Sequence, residues 1–297
     1  MTHAAHSVTF GGLVLPNEPW PDLVSRWRRL EAGGVDTIWS CDHFTNPHRV
    51  GQTWFEGWTG LAALAALTPR VHVGLLVGAI VSRSPAMFVK QAQTVDHVTN
   101  GRLVLGLGAG GAPTDQLMWG VDEWTDRERA ERFAEYVAFV DQLAREPEVT
   151  FRGTWYRTDG APMAPGFVQR PRPPMLLAAH GARTIEVVAR HADVWNAFGP
   201  TLTDARELRD RLHNACARIG RDPAEIRSSV LLGLADGTSW TSPAQFEQLV
   251  ADWHEQGFRD FIFYDPPSAR AGVPVAAAAL VDELLGASLP RLREAFG

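Results

Sequence analysis

Cysteine is nearly absent: only Cys41 and Cys216 occur among 297 residues, so a disulfide framework cannot be the main source of stability. Long apolar runs are missing too, and no window approaches the roughly 18 apolar residues that a membrane helix needs. Neither charge sign dominates. The formal charge of −6 and the pI near 5.9 leave no basic footprint for nucleic acid, and no Lys/Arg stripe marks a membrane surface. The opening "MTHAAHSVTF" lacks a basic region followed by an apolar one, as a secretory signal would have. A reducing cytoplasm is the expected compartment, with no nucleic acid or membrane as partner.

With 45% hydrophobic residues the chain can bury a large core, and its length suits one α/β barrel of about 250 residues plus insertions. The stretch "NGRLVLGLGAGG" carries Gly106, Gly108 and Gly111 at the G-x-G-x-x-G spacing of a dinucleotide turn. Such a turn needs a helix opening at once, so that amides can hold a pyrophosphate. Pro113 and the loop-like "GAPTD" stand there instead, and the motif arrives after a hundred residues that read as three strand–helix units. The glycines are therefore not read as a Rossmann turn.

Eight β-rich runs are spaced along the chain: Val8–Val14, Thr37–Cys41, Val71–Val77, Leu103–Gly108, Met175–Ala179, Val194–Ala197, Ser229–Leu234 and Phe261–Tyr264. Between them, Phe133, Tyr136, Val137 and Val140 form one apolar helix face. Phe246, Leu249, Val250 and Trp253 form a second, and Leu208, Leu212, Ala215 and Ile219 a third. On the first of these helical segments, Arg132 and Glu135 read as surface charges. Strands alternating with amphipathic helices predict parallel pairing. Eight units close naturally into a (β/α)8 TIM barrel, an α/β fold, with a doubly wound sheet as the open alternative. Two insertions break the rhythm: the polar, aromatic loop Asp42–Trp58, and Thr150–Pro174, which reads as a hairpin followed by a proline-rich link. No boundary or repeat divides residues 1–297 into two domains.

A parallel barrel carries its site at the carboxyl ends of the strands. Those ends hold Asp42-His43-Phe44, Val77-Gly78, the glycines, "AAHGART" and Trp195-Asn196. Small residues at three of them let a flat ligand approach the backbone. Gly106, Gly108 and Gly110 either relieve crowding or touch that ligand. Trp54, Phe55 and Trp58 are candidate walls of a substrate pocket, and the Asn196 amide beside Trp195 suits a ring edge. No metal is expected: the first strand lacks the histidine pair common in barrel hydrolases, and His43 and His48 do not have ligand spacing.

The runs "DTIWSCDHF", "GLAALAALTPRVHVGLLV", "VSRSPAMFVKQAQTVDHVTNGRLVLGLGAG" and "RPPMLLAAHGARTIEVVARHADVWN" together resemble the luciferase-like flavin and deazaflavin oxidoreductases. The resemblance covers most of the chain in order. It implies a barrel whose cofactor ring lies at the carboxyl mouth, and an oxidoreductase using coenzyme F420, a deazaflavin, to exchange hydride with a small organic substrate. The alternatives are an FMN-dependent monooxygenase and a flavin-binding barrel without turnover. Homodimers are common in this family.

The same resemblance implies residue roles. His43 faces the ring and moves a proton, an imidazole being suited to that near neutral pH. Asp42 either tunes it or orients backbone amides. Leu76-Val77 matches the place of a non-proline cis peptide that supports the ring. "AAHGART" matches the phosphate loop, so that Ala179, His180 and the amides of Gly181, Ala182 and Arg183 would hold an anion at a helix start. The chain departs from many relatives at Ala178-Ala179, where they have two glycines, and at His180, where they have a small residue. It has Gly111 where some deazaflavin sugar dehydrogenases place a glutamate acid, which argues against that sugar chemistry.

Overall fold

The computed structural model describes residues 7–47, 49–110, 113–198, 201–232, 242–265 and 278–297. In chain order the strands are β1 (Thr9–Val14), β2 (Thr37–Ser40), β3 (His72–Leu75), β4 (Gly78–Ala79), β5 (Leu103–Gly108), β6 (Glu148–Arg152), β7 (Arg157–Pro162), β8 (Met175–Ala178), β9 (Val194–Phe198), β10 (Arg227–Leu232) and β11 (Asp260–Asp265). The helices are α1 (Trp20–Ala32), α2 (Gly57–Ala65), α3 (Pro85–Val98), α4 (Pro113–Met118), α5 (Asp126–Arg145), α6 (Ala182–His191), α7 (Leu202–Ile219), α8 (Pro243–Glu255), α9 (Ala278–Glu283) and α10 (Leu289–Phe296).

The main sheet runs β3-β2-β1-β11-β10-β9-β8-β5, every pair parallel, and pairing of β3 with β5 closes it into an eight-stranded barrel. β4 is a short continuation beyond the third barrel strand, paired with β5 through Gly78↔Leu107 and Ala79↔Gly108. This settles the open choice between barrel and doubly wound sheet. All eight expected strands are present, differing only at their ends; the expected terminus Leu234 lies outside the described residues. The hairpin read in the first half of the second insertion is the antiparallel pair β6–β7.

Both faces of the strands are covered, so each strand reads as a run of apolar and small residues rather than an alternation. Leu13, Trp39, Leu76, Val104, Leu176, Val194, Leu231, Ile262 and Tyr264 fill the barrel. Their neighbours along the strands, such as Phe10, Leu105, Leu177 and Phe261, point out into a larger layer under the helices. The three helix faces read from the sequence meet that layer, except that Ile219, in the last turn of α7, is exposed. Among the described residues no helix is long and apolar enough to cross a membrane.

Two readings need correction. Within "GAPTD", read as a loop, Pro113, Thr114 and Asp115 belong to a helix: Pro113 opens the six-residue α4, and Gly111 and Ala112 lie outside the described residues. Proline suits a first helical turn, where its missing N–H would have had no partner. Glu135 is not a plain surface charge either. Its carboxylate accepts the amides of Thr154 and Trp155 at 2.8 Å and of Tyr156 at 2.7 Å, clamping the β6–β7 turn onto α5. Arg132, one turn earlier, lies over the rings of Trp124 and Trp155.

The proline-rich link is held by ions at the amino ends of the strands. Arg172 donates to Asp141 at 2.6 Å and to Asp193 at 2.5 Å, and Arg145 donates to the same Asp141 oxygen at 2.9 Å. Burial opposes ionisation of Asp141, but hydrogen bonds from His191 and Arg172 hold its carboxyl well below the usual range. A depressed carboxyl stabilises the fold above the unfolded pKa of about 4, and that contribution is lost as pH falls toward the lower folded value. Asp141→Asn should therefore cost about 2–3 kcal/mol at neutral pH in urea unfolding. The gap to the parent should narrow as the pH drops below the ordinary carboxylate range; a gap that widens there would contradict the assignment.

Candidate active site

The carboxyl end of β2 delivers Cys41, Asp42 and His43 to the mouth. Asp42 is almost fully buried and faces Arg83, whose Nη2 donates to Oδ1 at 2.9 Å and whose Nη1 donates to Oδ2. The Ala79 amide and the Ser82 hydroxyl also donate to Oδ2, each at 3.2 Å. Burial pushes the Asp42 carboxyl up, and the Arg83 hydrogen bonds and charge counter it. Arg83 reaches on to Glu56 at 3.2 Å, and Glu56 caps α2 through the amides of Trp58 and Thr59. Asp42 thus ties β2 to the segment after β4. Of its two expected roles, orienting the backbone is the one its contacts fit.

The carboxylate partner of His43 is a different residue. Nδ1 of His43 lies 2.6 Å from Oδ2 of Asp115, in α4, and the Phe44 amide donates to the other Asp115 oxygen at 3.1 Å. Asp115 is buried, whereas the His43 side chain is 36% exposed. Nδ1–H donating to the carboxylate leaves Nε2 as the nitrogen open to a reacting molecule. The Trp54 indole donates to the His43 carbonyl at 2.9 Å, fixing the turn from behind. Phe44 meets Trp119 edge-on, 5.0 Å between centroids, and so joins this loop to the end of α4. Burial first, then the charges of Asp42 and Asp115, push the Cys41 thiol up, so it stays neutral.

At the end of the neighbouring β3, the Leu76–Val77 peptide is cis, at the position the resemblance implied. Leu76 belongs to the barrel interior, and Val77, partly exposed, packs on it with Leu15. The inward glycines seat this bulge. A Cβ at Gly106 would collide with the Leu75 carbonyl, and one at Gly108 with the Val77 side chain. Crowding relief is therefore the reading their surroundings fit. Gly110 has φ +67° and gives its carbonyl to Arg129 at 2.7 Å. Gly111, the last member of the glycine motif, lies outside the described residues, as does His48.

Asn196 alternates with the inward Val194 and so points into the barrel. It donates to the Ser229 hydroxyl at 3.0 Å, while its buried Oδ1 has no partner among the described residues. Gly181 precedes α6 and supplies no side-chain cap, so the amides of Ala182 and Arg183 open at this end of the barrel, with Arg183 exposed. His180 is partly buried, which lowers its affinity for a proton. Ala179 is buried and accepts the Trp195 indole N–H at 2.9 Å.

Three aromatic candidates do not line the mouth. Trp195 is fully buried in the outer layer against Phe258, because strand alternation turns it away from the barrel interior. Trp58, 3% exposed, sits edge-on against Phe88 under α2. Phe55 packs edge-on against Trp20. Only Trp54 of the expected wall stays with His43. The residues missed from the sequence are Asp115 and Arg83. Both stood in quoted motifs, but neither motif says which side chain they meet. Among the described residues no group of three or more His, Cys, Asp or Glu is placed to hold a metal ion.

A closed parallel barrel with a histidine–carboxylate pair and a cis bulge at its carboxyl mouth defines the class of architecture. The chain belongs to the luciferase-like monooxygenase family, whose model matches residues 2–283. It is 32% identical over 177 residues to an F420-dependent glucose-6-phosphate dehydrogenase of Amycolatopsis mediterranei, covering 58% of this chain and 50% of the relative. It is 29% identical over 225 residues to an F420-dependent hydroxymycolic acid dehydrogenase of Mycobacterium tuberculosis, covering 72% of this chain and 59% of the relative. The chain thus spans little more than half the length of these curated relatives. An F420-dependent secondary alcohol dehydrogenase, solved with an F420-acetone adduct, superposes with a TM-score of 0.78 at 16% identity, over 89% of this chain and 95% of that one. That likeness shows the shared fold.

The seat of the bulge gives a direct test. Gly106→Ala puts a methyl into the Leu75 carbonyl, a backbone atom that cannot swing aside, and should cost about 3 kcal/mol. An unchanged urea midpoint would mean that the seam has room to give.

Proposed function

We propose that this chain is a deazaflavin-dependent oxidoreductase that takes coenzyme F420 in the barrel mouth and exchanges hydride with a small organic substrate. The observation that carries the reading is the His43–Asp115 pair, one third exposed at His43, beside the Leu76–Val77 bulge at the end where a parallel barrel keeps its site. The two F420-dependent relatives support the deazaflavin over FMN, a choice that membership of the family leaves open. The substrate of neither relative is carried over, and Gly111 argues against the sugar phosphate.

The residues present fit such a ring. Val77 and Leu15 offer an apolar floor, and Asn196 Oδ1, buried without a partner, offers an acceptor for a ring N–H. The amides of Ala182 and Arg183, with the Arg183 charge, suit an anionic tail. When bound, the coenzyme supplies hydride exchange at its ring. The protein's own part is to exclude water and to move a proton at His43 Nε2. Asp115 holds the imidazole by Nδ1 and fixes the tautomer, acting as a positioning residue. Free, buried Cys41 and Cys216 suit the reducing cytoplasm assigned to this activity.

Purified protein mixed with coenzyme F420 and with FMN in turn, followed by absorbance and by reduction of each, tests this. Binding and turnover with the deazaflavin are expected. FMN binding with oxygen consumption would replace the reading with monooxygenation, tight binding without turnover with a non-catalytic barrel, and binding of neither would end it. His43→Ala should leave coenzyme affinity within a few-fold and cut turnover by about 10²–10⁴. Asp115→Asn should lower kcat by roughly 10–10² with KM little changed, since it misplaces the proton-transfer group rather than the substrate. A loss confined to KM would remove Asp115 from the positioning role.

A further inference from the structure

A cleft of about 1000 Å³ opens at the amino ends of the strands, on the face opposite His43. Pro174 before β8, Asp193 before β9, Arg227 at the start of β10 and Arg259 before β11 form its rim. In a chain of net charge −6, six arginines line this one cleft against three carboxylates. The carboxylates are all engaged. Asp193 is held by Arg172, Glu225 pairs with Arg221 at 3.2 Å, and Asp222 accepts the Ala224 amide at 2.9 Å. Arg145 and Arg172 are matched by Asp141.

Of the other four, Arg170 forms no ion pair among the described residues, and neither do Arg209, Arg227 and Arg259, the three whose charges act on one another. Their hydrogen bonds go to neutral oxygens. Arg259 Nη1 donates to the carbonyls of His254 and Phe258 at 3.0 and 2.8 Å. Arg227 Nη2 donates to the carbonyls of Ser7 and Arg259 at 2.6 and 2.8 Å and to the Thr9 hydroxyl at 3.1 Å. Arg209 Nη1 donates to the Gln256 carbonyl, and its Nε is buried with no partner. Each guanidinium has five N–H donors in a flat fork, so donors remain on all three. The three charges also act on one another: after burial, Arg209 and Arg227 are what weaken the hold of Arg259 on its proton. Asp260, half-buried beside Arg227, accepts the Thr9 hydroxyl at 2.6 Å; burial pushes its carboxyl up and the Arg227 charge counters that. Asp210 beside Arg209 and the exposed His213 also act on the cluster.

We propose that this cleft is a second ligand site, taking a small polyanion that carries linked phosphates on Arg209, Arg227 and Arg259. Three guanidinium forks match phosphate oxygens in geometry as well as charge. Among the described residues no phenyl or indole ring lines the cleft, so recognition rests on the phosphates and not on a stacked base. The site is independent of the chemistry proposed at the mouth.

Isothermal titration of the full chain with inorganic pyrophosphate at low salt tests it. Binding is expected. Arg209→Gln combined with Arg259→Gln should weaken it at least about tenfold, while Arg183→Gln, on the other face, should leave it within roughly twofold. A nucleoside triphosphate should bind and the bare nucleoside should not; a triphosphate that binds at least about tenfold tighter than pyrophosphate would identify a nucleotide rather than free pyrophosphate as the ligand of the same site. Both arginines also staple carbonyls, so a second measurement avoids the variants: pyrophosphate should slow modification of Arg209 and Arg259 by phenylglyoxal in the parent protein, read by mass spectrometry. No binding at millimolar pyrophosphate, equal affinity in a folded double variant, or no protection of these two arginines would each overturn the proposal.

Discussion

The barrel closes where β3 meets β5, and that seam exists because glycine stands on both sides of it. Trp39 fills the interior beside the seam, and a Cβ at Gly74 would come within 2.5 Å of its ring. At Gly106 the Leu75 carbonyl takes the space a side chain would need. Glycine's conformational freedom is secondary here; the missing Cβ lets backbone approach backbone around a large indole. With the seam shut, the inward-facing groups at the carboxyl ends of the eight parallel strands share one space.

From that seam the chain leaves β3 through the Leu76–Val77 bulge, and the next turn is locked to β2 by Asp42. Two nearly dehydrated charges, Asp42 and Arg83, are costly unless well matched. Here two guanidinium bonds, a backbone amide and a hydroxyl satisfy the carboxylate. Asp42 is thereby committed to architecture, and the neighbouring His43 is left to a separate carboxylate, Asp115, brought in by α4. One carboxylate holds the mouth together, and the other holds the imidazole that projects into it.

Much of this was legible in residue order. The eight strands follow from apolar runs bounded by turn residues, and the cylinder follows from their alternation with amphipathic helices. The glycines after Leu105 were readable as a strand end from their late position in the chain, whereas Pro113 did not speak against a phosphate turn, because a helix does open there. Side-chain direction was less legible. Trp195 and Asn196 are adjacent, yet alternation across the strand sends the indole to the outer layer and the amide inward, and a one-residue choice of face cannot be read from a strand this short. Trp58 looked like a pocket wall because it ends a polar loop. It is instead the second residue of α2, and packs on Phe88.

Residue type and spacing thus determined the class of fold and the end of the barrel that carries the site, because periodicity and local backbone preference act between near neighbours. Pairing across the molecule was decided only by the tertiary structure. His43 meets Asp115 across 72 positions, Asp42 meets Arg83 across 41, and Arg227 reaches the Thr9 hydroxyl across 218. Those partners are chosen by where the closed cylinder sets each loop, and no local pattern in the chain encodes that distance.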